Sequence, residues 1–459
     1  MATEGSGPVS TSGLPAAAGS VGVVGETAGA PAAAQPGAPA GSQTATAPGT
    51  AAGSGVTPGT AGPSASGPKG AAGSAGAVAA DAPCTSQGAP LVIGQNGVWS
   101  GLLGANFIGA KTAMSIWAKH VNAKGGLACH PVQLYQTDDG SDPARGSANV
   151  TDLILSKKVQ ALVGLYAPIN MAAQASVFHK YNIPVVGGDI TDFSWSTDPL
   201  LFAQGTSPLH AYASSLKEAR LATGYTKFGI LSCVEATTCT KIRNSMTTKG
   251  GMADLAGVEV AYNQTISLTQ TDFTAECQNA KKAGAQVMYL VMDAASLQRL
   301  FRSCDAIGYK FPWSGPSLTL TPDLQNDPIL RGSTDYVGYF GSSSAPWMSN
   351  DTAATKEFQE AYKTYAPGTP PSPASMTGWA SGKMLEAVVA NIPNARNGPI
   401  TTAQIFKGLY ALKNETLGGL VPGMTFNEGK PSPIVSCYYA ELFSRGVFSD
   451  PFGSKKRCL

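Results

Sequence analysis

The sequence predicts an α/β protein of two lobes, each a mainly parallel sheet flanked by helices. Two observations carry that expectation. From residue 89 onward, short apolar runs alternate with segments of helical periodicity about 10–15 residues long, the pattern of successive βαβ units. Roughly eight such units exceed what one compact open sheet accommodates, so two lobes are the natural solution.

The elements read in order as follows. "PLVIGQN" is a first strand, closed by Gly and Asn. Residues 103–122 form a helix in which Ala105, Ile108, Ala113, Ile116, Trp117 and Val121 recur at helical spacing, and Lys124-Gly125-Gly126 ends it. "HPVQLYQTDDG" is strand two, and 143–157 is a helix with Ala144, Ala148, Leu153 and Ile154 on one side. "VQALVGLY", a helix over 171–181 and "IPVVGGD" complete the next units. A helix over 208–223, the strand "KFGILSC" and a helix over 240–256 follow. Then come "VEVAYNQTI", a helix over 273–283, the strand "QVMYLVM", a helix over 295–307 and the run "FPWSGPS".

Residues 1–83 are a different material. They contain no Phe, Trp, Tyr, Ile or Cys and only the charges Glu4, Glu26, Lys69 and Asp81. Such a stretch cannot bury enough apolar side chain to offset the entropy of ordering its backbone, so a disordered tail is expected. Its typical end-to-end distance would be roughly 50 Å, suited to tethering the folded part or carrying it through a wall layer. "DAPC" has Asp and Pro at positions unfavourable for a lipid-anchor signal at Cys84, so no lipid anchor is expected there.

Charge and hydropathy exclude several functions. The net charge is +2, with no basic cluster beyond Lys455-Lys456-Arg457, so there is no electrostatic footprint for nucleic acid. No window approaches 18 consecutive apolar residues, and no basic segment leads into an apolar one at the start, so neither a transmembrane helix nor a signal sequence is visible in this numbering. The eight Cys point the other way. None forms C-x-x-C or has His at zinc spacing, and their even number favours disulfides and an oxidising compartment. Spacing does not determine connectivity. Sequential pairing (84–129, 233–239, 277–304, 437–458) is the preferred arrangement, with buried free thiols the alternative.

Catalytic and cofactor motifs are absent. Gly104 to Thr112 resembles a phosphate loop, but Ala110 separates the last Gly from Lys111, and helical periodicity runs through the segment. There is no G-x-S-x-G, H-E-x-x-H or C-G-[SA]-C-[WY], and none of His120, His130, His179 and His210 falls in a loop following a strand. No enzyme activity, metal or cofactor is expected. Ligands of lobed α/β proteins lie outside the carboxyl ends of the strands. The loops there are rich in Ser, Thr, Asn and Asp and poor in Lys and Arg, which suits a small polar ligand. Asp189 and Asp293 are placed to meet a ligand ammonium or hydroxyl, or else to cap the following helix; Trp99, Ser100 and Tyr166 are placed to stack on or hydrogen-bond a ligand, or else to cover a core edge. Asp138-Asp139 ahead of Ser141-Asp142-Pro143 reads as a capped turn.

"HVNAKGGL" followed by "TDDGSDPARG" resembles the Leu/Ile/Val-binding protein family, the type I periplasmic solute-binding proteins of ABC transporters. "LVGLYAPINMAAQA", "YNIPVVGGDIT", "SCDAIGYKFPWSGPS" and "VPGMTFNEGK" extend the resemblance over about 89–445. The resemblance implies lobe one from 89–222 and 345–425, lobe two from 223–344 and 426–459, and a cleft that closes on its ligand by hinge motion. It places ligand contacts at Tyr166, Ala167, Asn170, Asp189 and Thr191 in lobe one, with Ala167 standing where a hydroxyl is common. In lobe two it points to Thr238, Asp293 and Ser317, with Glu235 an alternative acid for an ammonium. The function implied is an extracytoplasmic receptor, a monomer, that delivers an amino acid, amide or related small polar metabolite to an ABC permease. A ligand-sensing receptor or adaptor on the same fold is the other reading.

Overall fold

The computed structural model describes residues 84–459; the tail expected over 1–83 lies outside the described residues. A first sheet is built from β1 (Leu91–Gly97), β2 (Val132–Asp138), β3 (Ala161–Leu165), β4 (Val185–Gly188) and β5 (Leu201–Phe202). Its strands lie in the order β2-β1-β3-β4-β5, every pair parallel. The connecting helices are α1 (Gly104–Ala123), α2 (Pro143–Leu155) and α3 (Met171–Tyr181).

Helix α4 (Pro208–Thr223) leads into the second sheet, whose first strands are β6 (Lys227–Cys233), β7 (Glu259–Ile266), β8 (Val287–Val291), β9 (Trp313–Ser314) and β10 (Gly338–Ser342). Between them run α5 (Thr237–Thr247), α6 (Met252–Ala256), α7 (Thr274–Lys282), α8 (Ala294–Ala306) and α9 (Pro328–Gly332). The chain then returns to the first sheet through α10 (Ala353–Tyr365), α11 (Pro373–Ala390) and α12 (Thr402–Ala411). It ends in the second with β11 (Cys437–Ser444), β12 (Val447–Ser449) and β13 (Arg457–Cys458).

The second sheet runs β12-β11-β10-β9-β8-β6-β7, with β13 beside β11. Its strands are parallel from β7 to β10 and antiparallel from β10 onward. Both sheets therefore share one doubly wound pattern, in which the second strand in sequence lies outside the first. The helix expected over 240–256 is two helices, because Gly250 adopts φ +73° and the chain turns there before α6.

Helices α1 and α11 cover the first sheet at close range. A methyl group on Gly378 would stand 2.8 Å from the Ala110 carbonyl, and one on Gly382 would stand 2.4 Å from the ring of Trp117. Small residues thus let the two backbones approach, and Trp117, with no exposed surface, fills the space between. His130 is buried, its ring nitrogens 2.6 Å and 2.8 Å from the carbonyls of Ala89 and Ala395.

All eight Cys are paired, as 84–129, 233–239, 277–304 and 437–458. Three connections join the sheets, and they lie side by side. Ser207 N donates to Val435 O and Val435 N to Ser207 Oγ, both at 2.9 Å. Thr206 Oγ1 donates to Cys437 O at 2.6 Å, and Ala345 N donates to Leu420 O at 2.8 Å.

Candidate functional site

A pocket with about 520 Å³ of empty space, part of it open to solvent, lies where the carboxyl ends of the two sheets face each other. On the first sheet's side it is lined by Leu103, Asn106, Phe107, Pro168 and Thr191. Leu103 and Phe107 are four residues apart at the start of α1, hence on one face of it. Thr191 is delivered by a sharp bend at the end of β4. Gly188 sits at φ +152°, and a Cβ there would meet the Leu165 carbonyl at 2.1 Å, so only glycine turns the chain here. Beyond the bend, Asp189 Oδ1 accepts the Thr191 N–H at 3.0 Å.

The second sheet supplies the opposite wall. The loop after β6 is tied into a ring by the Cys233–Cys239 disulfide, and Cys233, Ala236, Thr238 and Cys239 all line the cavity. Ile242, Leu268, Val291, Met292, Asp293, Leu318 and Thr319 complete that wall. A smaller hollow of about 300 Å³ adjoins it, shares Thr191, Tyr212, Pro316 and Leu318, and adds Ser317.

Hydrogen bonds and an ion pair bridge the cleft. Thr238 Oγ1 donates to Pro168 O at 2.9 Å and stands 3.3 Å from Asp192 Oδ2. Lys241 Nζ meets the same carboxylate oxygen at 3.2 Å. The Tyr212 hydroxyl donates to the Thr191 carbonyl, and Asn106 Nδ2 lies 3.5 Å from Leu318 O. These contacts join groups from opposite sides of the cleft.

The expected contact residues separate into two sets. Thr191, Thr238 and Asp293 line the cavity, and Ser317 lines the adjoining hollow. Asp293 also caps α8, accepting from Ala295 N and Ser296 N. The others are occupied elsewhere. Trp99 packs on Tyr166 and donates its indole N–H to Thr137 O, while Ser100 donates to Asp138 at 2.5 Å. The Tyr166 hydroxyl donates to Thr377 Oγ1 at 2.9 Å. Ala167 is buried in the core beside β3, and Asn170 accepts from Gln174 at 2.8 Å. Glu235 accepts from Ser267 and from Leu268 N, bonds that hold its carboxyl below the usual range against some desolvation.

Asp189 is fully buried beneath the first wall, and desolvation pushes its carboxyl up to about 7. Hydrogen bonds from the Thr191 side chain and backbone N–H oppose that shift in part. The wall is more apolar than loops rich in Ser, Thr, Asn and Asp suggest, because many of their polar side chains satisfy backbone N–H groups and carbonyls nearby. Leu103, Phe107, Ile242, Leu268 and Leu318 were not foreseen. In sequence an apolar residue facing a cleft looks like one facing the core.

No group of three or more His, Cys, Asp or Glu side chains is placed to hold a metal among the described residues. Two doubly wound sheets, joined by a bundle of three connections and closing on a cavity, define a hinged binding protein. The chain belongs to the periplasmic binding protein family, whose model matches residues 90–441.

Several solved structures share the fold. A possible leucine/isoleucine/valine-binding protein from Rhodopirellula baltica is 17% identical with a TM-score of 0.65, covering 80% of this chain and 98% of its own. The solute-binding protein of an ABC transporter from R. palustris, in complex with benzoate, is 15% identical with a TM-score of 0.64, covering 81% and 98%. A fatty acid ABC transporter substrate-binding protein from Thermomonospora curvata is 16% identical with a TM-score of 0.62, covering 79% and 92%. No curated protein matches the chain.

Proposed function

We propose that this protein is an extracytoplasmic receptor that traps a small solute by closing two lobes about a hinge and presents it to an ABC importer. The observation that carries the reading is the cavity walled from both sheets and shut by Thr238 and Lys241 across the cleft. The two sheets with their helices are the lobes. Helix α4 packs on β10 and β11, which supports counting it with the second-sheet lobe. The paired cysteines, with the family's periplasmic character, support a location outside the cytoplasm. The names of the R. palustris and T. curvata structures support the importer as partner.

A thermal-unfolding screen with amino acids, amides, organic acids, amines and neutral alcohols and ketones tests the reading. A ligand at about 100 times its dissociation constant stabilises the protein by roughly 2.7 kcal/mol and is recovered unchanged. A compound that is steadily consumed, or a screen with no stabilising compound at all, would overturn it.

A further inference from the structure

We infer that the Cys233–Cys239 disulfide is a redox-sensitive element of the cleft: oxidised, it holds the start of α5 against the first-sheet half, and its reduction by a dithiol loosens closure and the hold on a solute. The inference rests on the solute-receptor reading and names a regulation of that same site.

The bridge is placed for this. Cys233 ends β6 and Cys239 is the third residue of α5, so the ring they close carries the turn from strand to helix. Both half-cystines line the pocket, and no cysteine of the other three bridges does. No side chain caps the start of α5, whose N-cap position is Ala236. That helix end is fixed by the disulfide, by the bond from Ser232 Oγ to Cys239 O at 2.8 Å, and by Glu235, which accepts from Ser267 and Leu268 N. The same helix end makes contacts across the cleft. Thr238, next to Cys239, donates to Pro168 O, and Lys241, two residues on, pairs with Asp192. Hydrogen bonds weaken steeply when their geometry is lost. A loop freed from its bridge spreads Thr238 and Lys241 over more positions, and ordering them again at each closure costs entropy that the bridge removes in advance.

Closure and redox state are therefore linked in both directions. Cys233 and Cys239 are 4% and 6% exposed, at a pocket partly open to solvent, so a reductant reaches them as the cleft widens. A thiolate of the dithiol attacks one sulfur, forming a mixed disulfide and releasing the other cysteine as thiolate. The reagent's second thiol then displaces the remaining protein sulfur and closes a disulfide within the reagent. Two electrons pass to the protein, and the reagent's two protons end on Cys233 and Cys239. Whatever draws the two halves together shields the bridge, and a reduced bridge makes that approach less favourable.

Reduction of the full chain by dithiothreitol, quenched by alkylation and read bridge by bridge by peptide mass spectrometry, tests this. Lys241→Ala breaks the ion pair across the cleft and should speed reduction of Cys233–Cys239 about threefold, leaving Cys277–Cys304 unchanged. Loss of a nearby cation alone would slow attack by an anionic thiolate, so acceleration reports a wider cleft. In X-ray scattering, Cys233→Ala with Cys239→Ala should give a larger radius of gyration than the unsubstituted protein, and Cys277→Ala with Cys304→Ala the same one. Unchanged or slower reduction in Lys241→Ala overturns the inference, even should the first Ala pair fail to fold. So does an unchanged radius in that pair once folded, which would show that Glu235 suffices to hold the loop. Neither readout uses a solute, so failure here leaves the receptor reading intact. An empty solute screen removes that reading without touching the link between bridge and cleft.

Discussion

Thr238→Val separates closure from folding. The substitution keeps the shape of the side chain and removes a hydroxyl that donates to Pro168 O at 2.9 Å, across the cleft. In an open cleft both the hydroxyl and the carbonyl are free to bond water, so the bond contributes only to the closed form. A buried hydrogen bond of this kind contributes about 1 kcal/mol net, with a further part from the carbonyl left unmet, so closing should be less favourable by about 1–1.5 kcal/mol. Since ligand affinity is reduced by the same factor as the population of the binding-competent form, the dissociation constant should rise about five- to tenfold. Calorimetry with a solute found in the screen measures that change, and thermal unfolding of the ligand-free protein supplies the control. Its midpoint should not move. An unchanged dissociation constant refutes the assignment of Thr238 to the closing contact. A loss of ligand-free stability matching the loss in binding would refute it equally, because the bond would then exist in the absence of closure.

Two further outcomes follow from buried groups. Asp189 is held up to about 7 against 3.8 for its ordinary value, so between those pH values the folded protein keeps a proton that the unfolded chain has lost. Stability therefore falls as pH rises through that window, and Asp189→Asn, whose amide oxygen can still accept from Thr191 N, should flatten the slope and stabilise the protein at pH 7.5 by up to about 4 kcal/mol. Guanidinium unfolding at pH 5 and 7.5 measures this; Glu441, pushed up to about 8 by burial, leaves a residual slope of the same sign, and an unaltered profile refutes the account. The Cys277–Cys304 bridge closes a loop of 27 residues in the second-sheet half, and on the chain-entropy argument its removal by the paired Ala substitutions should cost about 3.5 kcal/mol in urea unfolding. A loss below about 1 kcal/mol would show that the reduced, unfolded chain gains little freedom.

Much of the fold was legible because its strands are short apolar runs bounded by helices with a different period. Residues 171–181, 208–223 and "KFGILSC" became α3, α4 and β6 with the expected ends. The antiparallel end of the second sheet was not, since β10 and β11 are nearly a hundred residues apart in sequence and pair only after the chain has crossed the hinge twice. In the site, Thr191, Thr238 and Asp293 were visible as polar residues in loops following strands. Ser100, Asn170 and Glu235 had the same signal, but their side chains complete hydrogen bonds within their own lobes. Loop position identifies residues near the mouth. Which of them face inward is decided by those local bonds, and a single sequence does not display them.

The placement of the disulfides has a mechanical consequence. Cys84 pairs with Cys129 beside the first sheet, and the other bridges all lie within the second-sheet half; none joins the two. Covalent stiffening and large-scale motion are thus assigned to different parts of the chain. Each half is braced internally, and the connections between them carry hydrogen bonds and apolar packing but no disulfide. Oxidation makes the protein rugged without locking it in one posture. An added bridge across the gap would do the reverse, producing a permanently shut, redox-releasable container.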